Sequence, residues 1–255
     1  MRSQARAALI ALAVAGALES PASAQVEAAA AFAAGAGAQA LGQAPPDADP
    51  LAAPTRAARE TIGWVVASGD NRGLPFIVID KTAAAVFVFD AQGNAVGAAP
   101  ALLGVASGDD STPGVGDRDL SQIGPAERTT PAGRFVARYG PAYGGHTVLW
   151  VDFANSVALH PVVTTNPRER RLQRLESLSP EDNRITFGCI NVPIPFYREI
   201  VQPLFAEAGG IVYILPETRP LEEVFPGMRV AAGAPPQIPA PKVATLRSSS
   251  FSLGR

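Results

Sequence analysis

Two five-residue runs constrain the fold more than anything else in the chain. Phe76-Ile77-Val78-Ile79-Asp80 and Ala85-Val86-Phe87-Val88-Phe89 are dense in β-branched and aromatic residues. Such side chains pack well on a pleated surface and lose rotamer freedom in a helix. Asp80-Lys81-Thr82 lies between the runs, and Asp90-Ala91-Gln92-Gly93-Asn94 reads as a turn after the second. The pattern returns at Gly133–Ala137 and Ile211–Leu215, and more weakly at Ala99–Val105. His146–Asp152 and Ser156–His160 read as a hairpin around Ala154-Asn155. Alternation about that turn sends His146 and His160 to opposite faces. Short strands punctuated by turn residues predict a mainly β domain, a small sandwich or barrel-like fold with a few peripheral helices.

Three stretches break the β pattern. Thr55–Ala67 carries helix formers with Ile62, Val65 and Val66 as apolar positions, and Gly69 and Gly73 end it. Asn166 and Pro167 suit the cap and first position of a helix over Arg168–Leu178, with Leu172, Leu175 and Leu178 on one packing face. Pro195–Ala208 has Phe196, Ile200 and Leu204 on a stripe, a kink site at Pro203 and a stop at Gly209-Gly210. Gly108–Pro131 is a long Gly/Pro-rich loop, and a connection of that length inside a compact domain is usually functional or mobile.

The 255 residues suffice for one core with tails. A net charge of −2 with 17% charged residues gives no footprint for nucleic acid. Residues 1–24 read as a signal peptide: Arg2 and Arg6, an apolar run Ala7–Leu18, then the small residues Pro21-Ala22-Ser23-Ala24. The alternative for that run is a retained membrane anchor. Residues 25–53 are an Ala/Gly/Pro linker, 54–74 a helix and connector, 75–216 the folded domain, and 217–255 a Pro/Ser-rich tail. The expected location is outside the cytoplasm, in the periplasm or cell wall.

Cys189 is the chain's single cysteine, within Thr186-Phe187-Gly188-Cys189-Ile190-Asn191-Val192. A lone cysteine in an exported protein is a buried spectator, an intermolecular link or a working thiol. As a nucleophile it needs a base, and the two histidines, His146 and His160, are both candidates. Gly188 lets a carbonyl substrate approach the backbone, where the Gly188 and Cys189 N–H groups would stabilise an oxyanion. No cluster of metal ligands stands out, and no cofactor is called for.

The segment Thr186-Phe187-Gly188-Cys189-Ile190-Asn191, with Leu159-His160 upstream, resembles the signature of the L,D-transpeptidase catalytic (YkuD-type) domain. The Ile77–Lys81 strand followed by Val86–Phe89 resembles that family's opening hairpin. Thr130-Pro131-Ala132-Gly133-Arg134-Phe135 resembles its Thr-Pro-x-Gly-x-Phe segment. The resemblance spans about residues 75–216. It implies Cys189 as nucleophile and His160 as general base and then general acid, oriented by a backbone carbonyl. It implies Gly188 and Cys189 as oxyanion donors, with Thr186 and Asn191 holding the turn. It also implies acyl transfer on peptidoglycan stem peptides, with cross-link formation or attachment of a wall protein. Carbapenem-type β-lactams would be covalent inhibitors. The rivals are a hydrolase on the same scaffold (carboxypeptidase or amidase) and a non-catalytic wall-binding module.

Two departures stand out. Phe187 occupies the position of the family's second histidine, and His160 lies about twice the usual distance upstream of Cys189. The extra length is the Arg-rich stretch 167–178. It reads either as a solvated helix closing the domain or as a lid whose arginines meet substrate carboxylates. Arg184, close to Cys189, is the first candidate for such a contact; its alternative is an ion pair with Glu181 or Asp182.

Overall fold

The structure is a computed structural model that describes residues 53–142 and 145–231. The expected signal peptide, nearly all of the linker and the end of the expected tail lie outside the described residues. Helix α1 (Arg56–Ser68) is capped by Thr55, whose hydroxyl accepts from the Ala58 N–H, and closes at Gly69 in the left-handed conformation. Strands β1 (Phe76–Asp80), β2 (Ala85–Phe89) and β3 (Ala95–Pro100) form an antiparallel meander. Strand β4 is the short Leu103–Gly104. After the long loop come β5 (Gly133–Pro141), β6 (Thr147–Asp152) and β7 (Val157–Pro161). The insertion holds a short helix, α2 (Arg171–Leu175), before β8 (Arg184–Thr186) and β9 (Ile190–Val192). Helix α3 runs from Ile194–Phe196 through a π-helical turn, Tyr197–Val201, into Gln202–Phe205. β10 (Gly210–Ile214), α4 (Leu221–Val224) and α5 (Gly227–Ala231) follow. The mainly β expectation holds.

Eight strands make one mixed sheet in the order β3-β2-β1-β10-β5-β6-β7-β9, with β4 and β8 as a separate parallel pair. β1, β2 and β10 are buried at every residue, so both faces are covered. Alternation sorts them into two cores. Ile77, Ile79, Val86, Val88, Val212 and Ile214 point into the larger one, which also takes Phe196, Val201 and Phe205 of α3 and Leu159 and Ile190 of β7 and β9. Phe76, Val78, Phe87, Phe89, Ile211 and Tyr213 point the other way, onto Ala58 and Val65 of α1 and Phe225. The same α3 residues therefore bridge the two halves of the curled sheet.

Four local expectations change. The insertion is helical only briefly: Leu175 is buried, but Leu172 and Leu178 are exposed, so the leucines do not share a packed face. The Ala99–Val105 strand is divided between the end of β3 and β4. The hairpin pairs Leu149 with Leu159, with a bulge between Trp150 and Asp152, one residue away from the register implied by an Ala154-Asn155 turn. A one-residue shift reverses which side chains share a face, and the predicted opposition of His146 and His160 loses its basis. Residues 217–231, read as tail, pack on the domain: Phe225 is buried, and Leu221, Val224 and Met228 lie against its core.

Pro203 sits in the last stretch of α3, Gln202–Phe205, directly after a π-helical turn whose Gln202 N–H bonds Tyr197 O. Gly209 then ends the helix with its N–H on Phe205 O. Among the described residues, no helix is long and apolar enough to cross a membrane.

Candidate active site

The site is built where β7 meets β9. These strands run parallel with Leu159 opposite Ile190, His160 opposite Asn191 and Pro161 opposite Val192. Cys189 immediately precedes β9, two residues before Asn191, so the segment that carries the thiol runs up to the partner strand of His160 although the insertion separates them in sequence. A parallel pair needs a crossover between its strands, and the Arg-rich stretch is part of that crossover.

The turn before Cys189 is held by two threonine hydroxyls. Thr186 Oγ accepts from the Gly188 N–H at 3.1 Å and donates to Cys189 O at 2.7 Å. Thr130 Oγ donates to Gly188 O at 2.9 Å and accepts from the Gly104 N–H. Gly188 has φ +128, and a Cβ there would sit 2.7 Å from Thr129 O, so both the dihedral and the close approach require glycine. The Gly188 N–H, an expected oxyanion donor, is thus committed to Thr186. Thr186 and Thr130 hold the turn, a role expected of Thr186 and Asn191; the Asn191 side chain instead meets His160 and Arg171.

Cys189 is half-buried and free. Its Sγ lies 3.5 Å from Ser156 O, the acceptor for the thiol proton. Burial pushes the thiol's pKa up, against the lowering influence of the Ala158 backbone and the Arg171 charge. Burial also lowers the pKa of His160; the Pro161 carbonyl opposes this and Arg171 adds to it. Both groups are therefore held neutral at rest. His160 Nδ1 is 2.9 Å from Pro161 O, the backbone orientation expected of it. Its Nε2 is 3.1 Å from Asn191 Nδ2. Asn191 Oδ1 in turn accepts from Arg171 Nη1 at 2.7 Å. Arg171 escaped sequence reasoning as an individual residue; its one signal was membership of the Arg-rich insertion.

Phe187 lies beneath the Arg128 guanidinium, 3.9 Å from ring centroid to Cζ, a cation–π contact. Arg128 also donates to Ile123 O through Nε and Nη2. Where the resembled family has a polar neighbour of the thiol, this chain anchors its long loop. A second anchor lies at Ser156, whose hydroxyl donates to Gly116 O at 3.0 Å. The loop thus touches the residues on both sides of the thiol.

Arg184 is engaged elsewhere. It pairs with Glu217 at 2.5 Å and donates to Lys81 O at 3.0 Å, so the ion pair is with neither Glu181 nor Asp182. His146 is exposed and precedes β6. Among the described residues no group of three or more His, Cys, Asp or Glu is placed to hold a metal ion.

No family model and no curated protein matches the chain. Solved structures show distant similarity. An L,D-transpeptidase from Mycobacterium smegmatis aligns at 16% identity and TM-score 0.33, covering 55% of this chain and 58% of that one. The L,D-transpeptidase LdtMt1 in complex with imipenem aligns at 15% identity, TM-score 0.33, with the same coverages. The helical cell shape determining protein Pgp2 from Campylobacter jejuni aligns at 11% identity and TM-score 0.37, covering 69% of this chain and 63% of that one. The chain thus spans somewhat over half of the first two and under two thirds of the third.

Proposed function

We propose that the protein is an exported cysteine acyltransferase acting on peptidoglycan stem peptides. The observation that carries this reading is the β7–β9 register, which pairs a backbone-oriented histidine, His160, with Asn191, two residues past the chain's one thiol, across a long insertion. A neutral imidazole with its proton on Nδ1 has Nε2 available as a base once it exchanges its Asn191 contact for the thiol.

The Cys189 proton passes to His160 Nε2, and the thiolate attacks the carbonyl between diaminopimelate and the terminal D-Ala of a tetrapeptide. The Cys189 N–H is the remaining backbone donor for the oxyanion. The C–N bond breaks, His160 returns the proton to the departing D-Ala amine, and a thioester remains. An amine on a second stem, or on a wall-attached protein, then attacks the thioester. His160 takes its proton and the thiolate leaves. The sequence requires no metal or cofactor.

A second reading draws on a specific observation. The thiol proton rests on Ser156 O and the His160 lone pair on Asn191, an arrangement equally suited to a non-catalytic wall-binding module. Incubation of the protein with disaccharide-tetrapeptide, followed by mass spectrometry, separates the readings. Cross-linked dimers support transfer, and tripeptide alone supports a carboxypeptidase on the same scaffold. Unchanged substrate, with no carbapenem adduct on Cys189, supports the binding module. Cys189→Ala removes either activity, and His160→Ala costs far more than His146→Ala; the reverse order of the two histidines would move the base to His146.

A further inference from the structure

His160 sits inside a hydrogen-bonded chain whose direction is set at both ends. An arginine guanidinium only donates and a backbone carbonyl only accepts. Arg171 therefore claims Asn191 Oδ1, which leaves Asn191 Nδ2 to face the ring. At the far end, Pro161 O requires a proton on His160 Nδ1. Nε2 is then left as the acceptor, and the four groups agree on one polarity.

A protonated His160 breaks that agreement. With N–H on both ring nitrogens, Asn191 would have to turn its oxygen to the ring and its NH2 group to Arg171, donor against donor. Arg171 is poorly placed to yield. Its side chain is 14% exposed, and its Nε lies 2.5 Å from Glu169 Oε2. Glu169 O is held in turn by Arg174 Nε at 2.9 Å.

We propose that Arg171, supplied by the insertion, is a positioning residue that keeps His160 a neutral base by dictating which end of the Asn191 amide meets the ring. Charge acts in the same sense. Arg171 faces His160 from α2 with Glu169 behind it. The proposal deepens the acyl-transfer reading, and its value to catalysis rests on that reading. A base that must accept the thiol proton has to be unprotonated first, so Arg171 extends activity toward lower pH.

The test is an NMR titration of the histidine ring protons in the full chain, with His146→Gln used to assign the two signals. In Arg171→Met the His160 midpoint rises by about one pH unit. In Arg171→Lys, which keeps a charge and a donor, it rises less. Turnover of tetrapeptide in Arg171→Met loses its acidic limb by the same displacement. An unmoved His160 midpoint in folded Arg171→Met overturns the proposal. Should that variant fail to fold, Asn191→Leu removes the amide while keeping the charge. Its His160 midpoint also rises, and a midpoint equal to wild type overturns the proposal. The titration uses no substrate, so its outcome is independent of whether the protein acts on stem peptides.

Discussion

At the residue scale, Cys189 and His160 are not poised as a preformed thiolate–imidazolium pair: the thiol contacts Ser156 O and the imidazole Nε2 meets Asn191. Burial raises the thiol and lowers the imidazole, so each is pushed toward its neutral form. The consequence for reactivity is direct, because the thiolate is the nucleophile. Alkylation of Cys189 by iodoacetamide is expected to stay slow through neutral pH and to accelerate only above the ordinary cysteine range, about 8.5. Fast alkylation at pH 6 would show a preformed ion pair instead. The stability signs follow by linkage. The raised thiol contributes stability in full below the unfolded value and loses it as pH climbs through the folded one. The lowered His160 contributes above its unfolded value, about 6.5, and loses it as pH falls. The stability difference between wild type and Cys189→Ala should therefore narrow on the alkaline side.

At the element scale, the long loop is the distinctive part. It leaves the domain through Asp109 and returns through Thr130, and between them it bonds Ser156 through Gly116 and covers Phe187 with Arg128. Phe187 is thus explained by what stacks on it. Phe187→Ala removes that stack, worth about 0.5–2 kcal/mol by analogy with cation–π pairs elsewhere. The expected result is faster limited proteolysis within residues 109–130 with little change in global melting temperature. Cleavage at the wild-type rate would mean that Arg128 is held by Ile123 O alone. The insertion is a second element whose form departs from its leucine pattern. Leu175 fills a small satellite core with Leu102, Val162 and Ile185. Its shape owes more to arginine bonds, with Arg174 spanning from Glu169 O to Asp182 O. Bonds of that kind leave no periodicity to read.

At the scale of the whole molecule, Lys81 ties three distant segments together. It is fully buried, and its ammonium meets Asp109 at 2.8 Å, Glu217 at 3.5 Å and Thr130 O at 3.0 Å. Asp109 also accepts from the backbone of Glu217, Thr218 and Arg219. This is why residues past 216 belong to the domain. Burial opposes ionisation of Asp109, but the Lys81 bond, the Thr218 hydroxyl and the two amides outweigh it and hold the carboxyl well below the usual range. Lys81→Met takes the ammonium from the buried Asp109 carboxylate and leaves Glu217 to Arg184, and is expected to cost about 3–5 kcal/mol in urea unfolding. A loss under 1 kcal/mol would mean that the network repacks. A depressed carboxylate contributes stability above its unfolded value and loses it in acid. Acid destabilisation should therefore begin as pH drops below about 4, and the stability gap between wild type and Asp109→Asn should close over the same range.

What the sequence determined by itself was the longer strands, β1, β2, β5, β6, β7 and β10, because β-branched and aromatic runs bounded by turn residues state their own conformation; the three-residue β8 and β9 carry too little pattern to read. Scarcity singled out Cys189 and narrowed the base to His146 or His160; the family resemblance then implied His160 and marked the Thr130-Pro131 segment. Tertiary structure alone decided which groups those residues meet. The β7–β9 register brought His160 to Asn191 across the insertion. The fold sent Arg184 to Glu217 and Arg171 to Asn191, and it used the Gly188 N–H to close a turn instead of leaving it for substrate. The physical reason is range. Strand formation depends on neighbours along the chain, whereas a hydrogen bond or ion pair depends on where a distant segment arrives, and arginines of identical composition part company there.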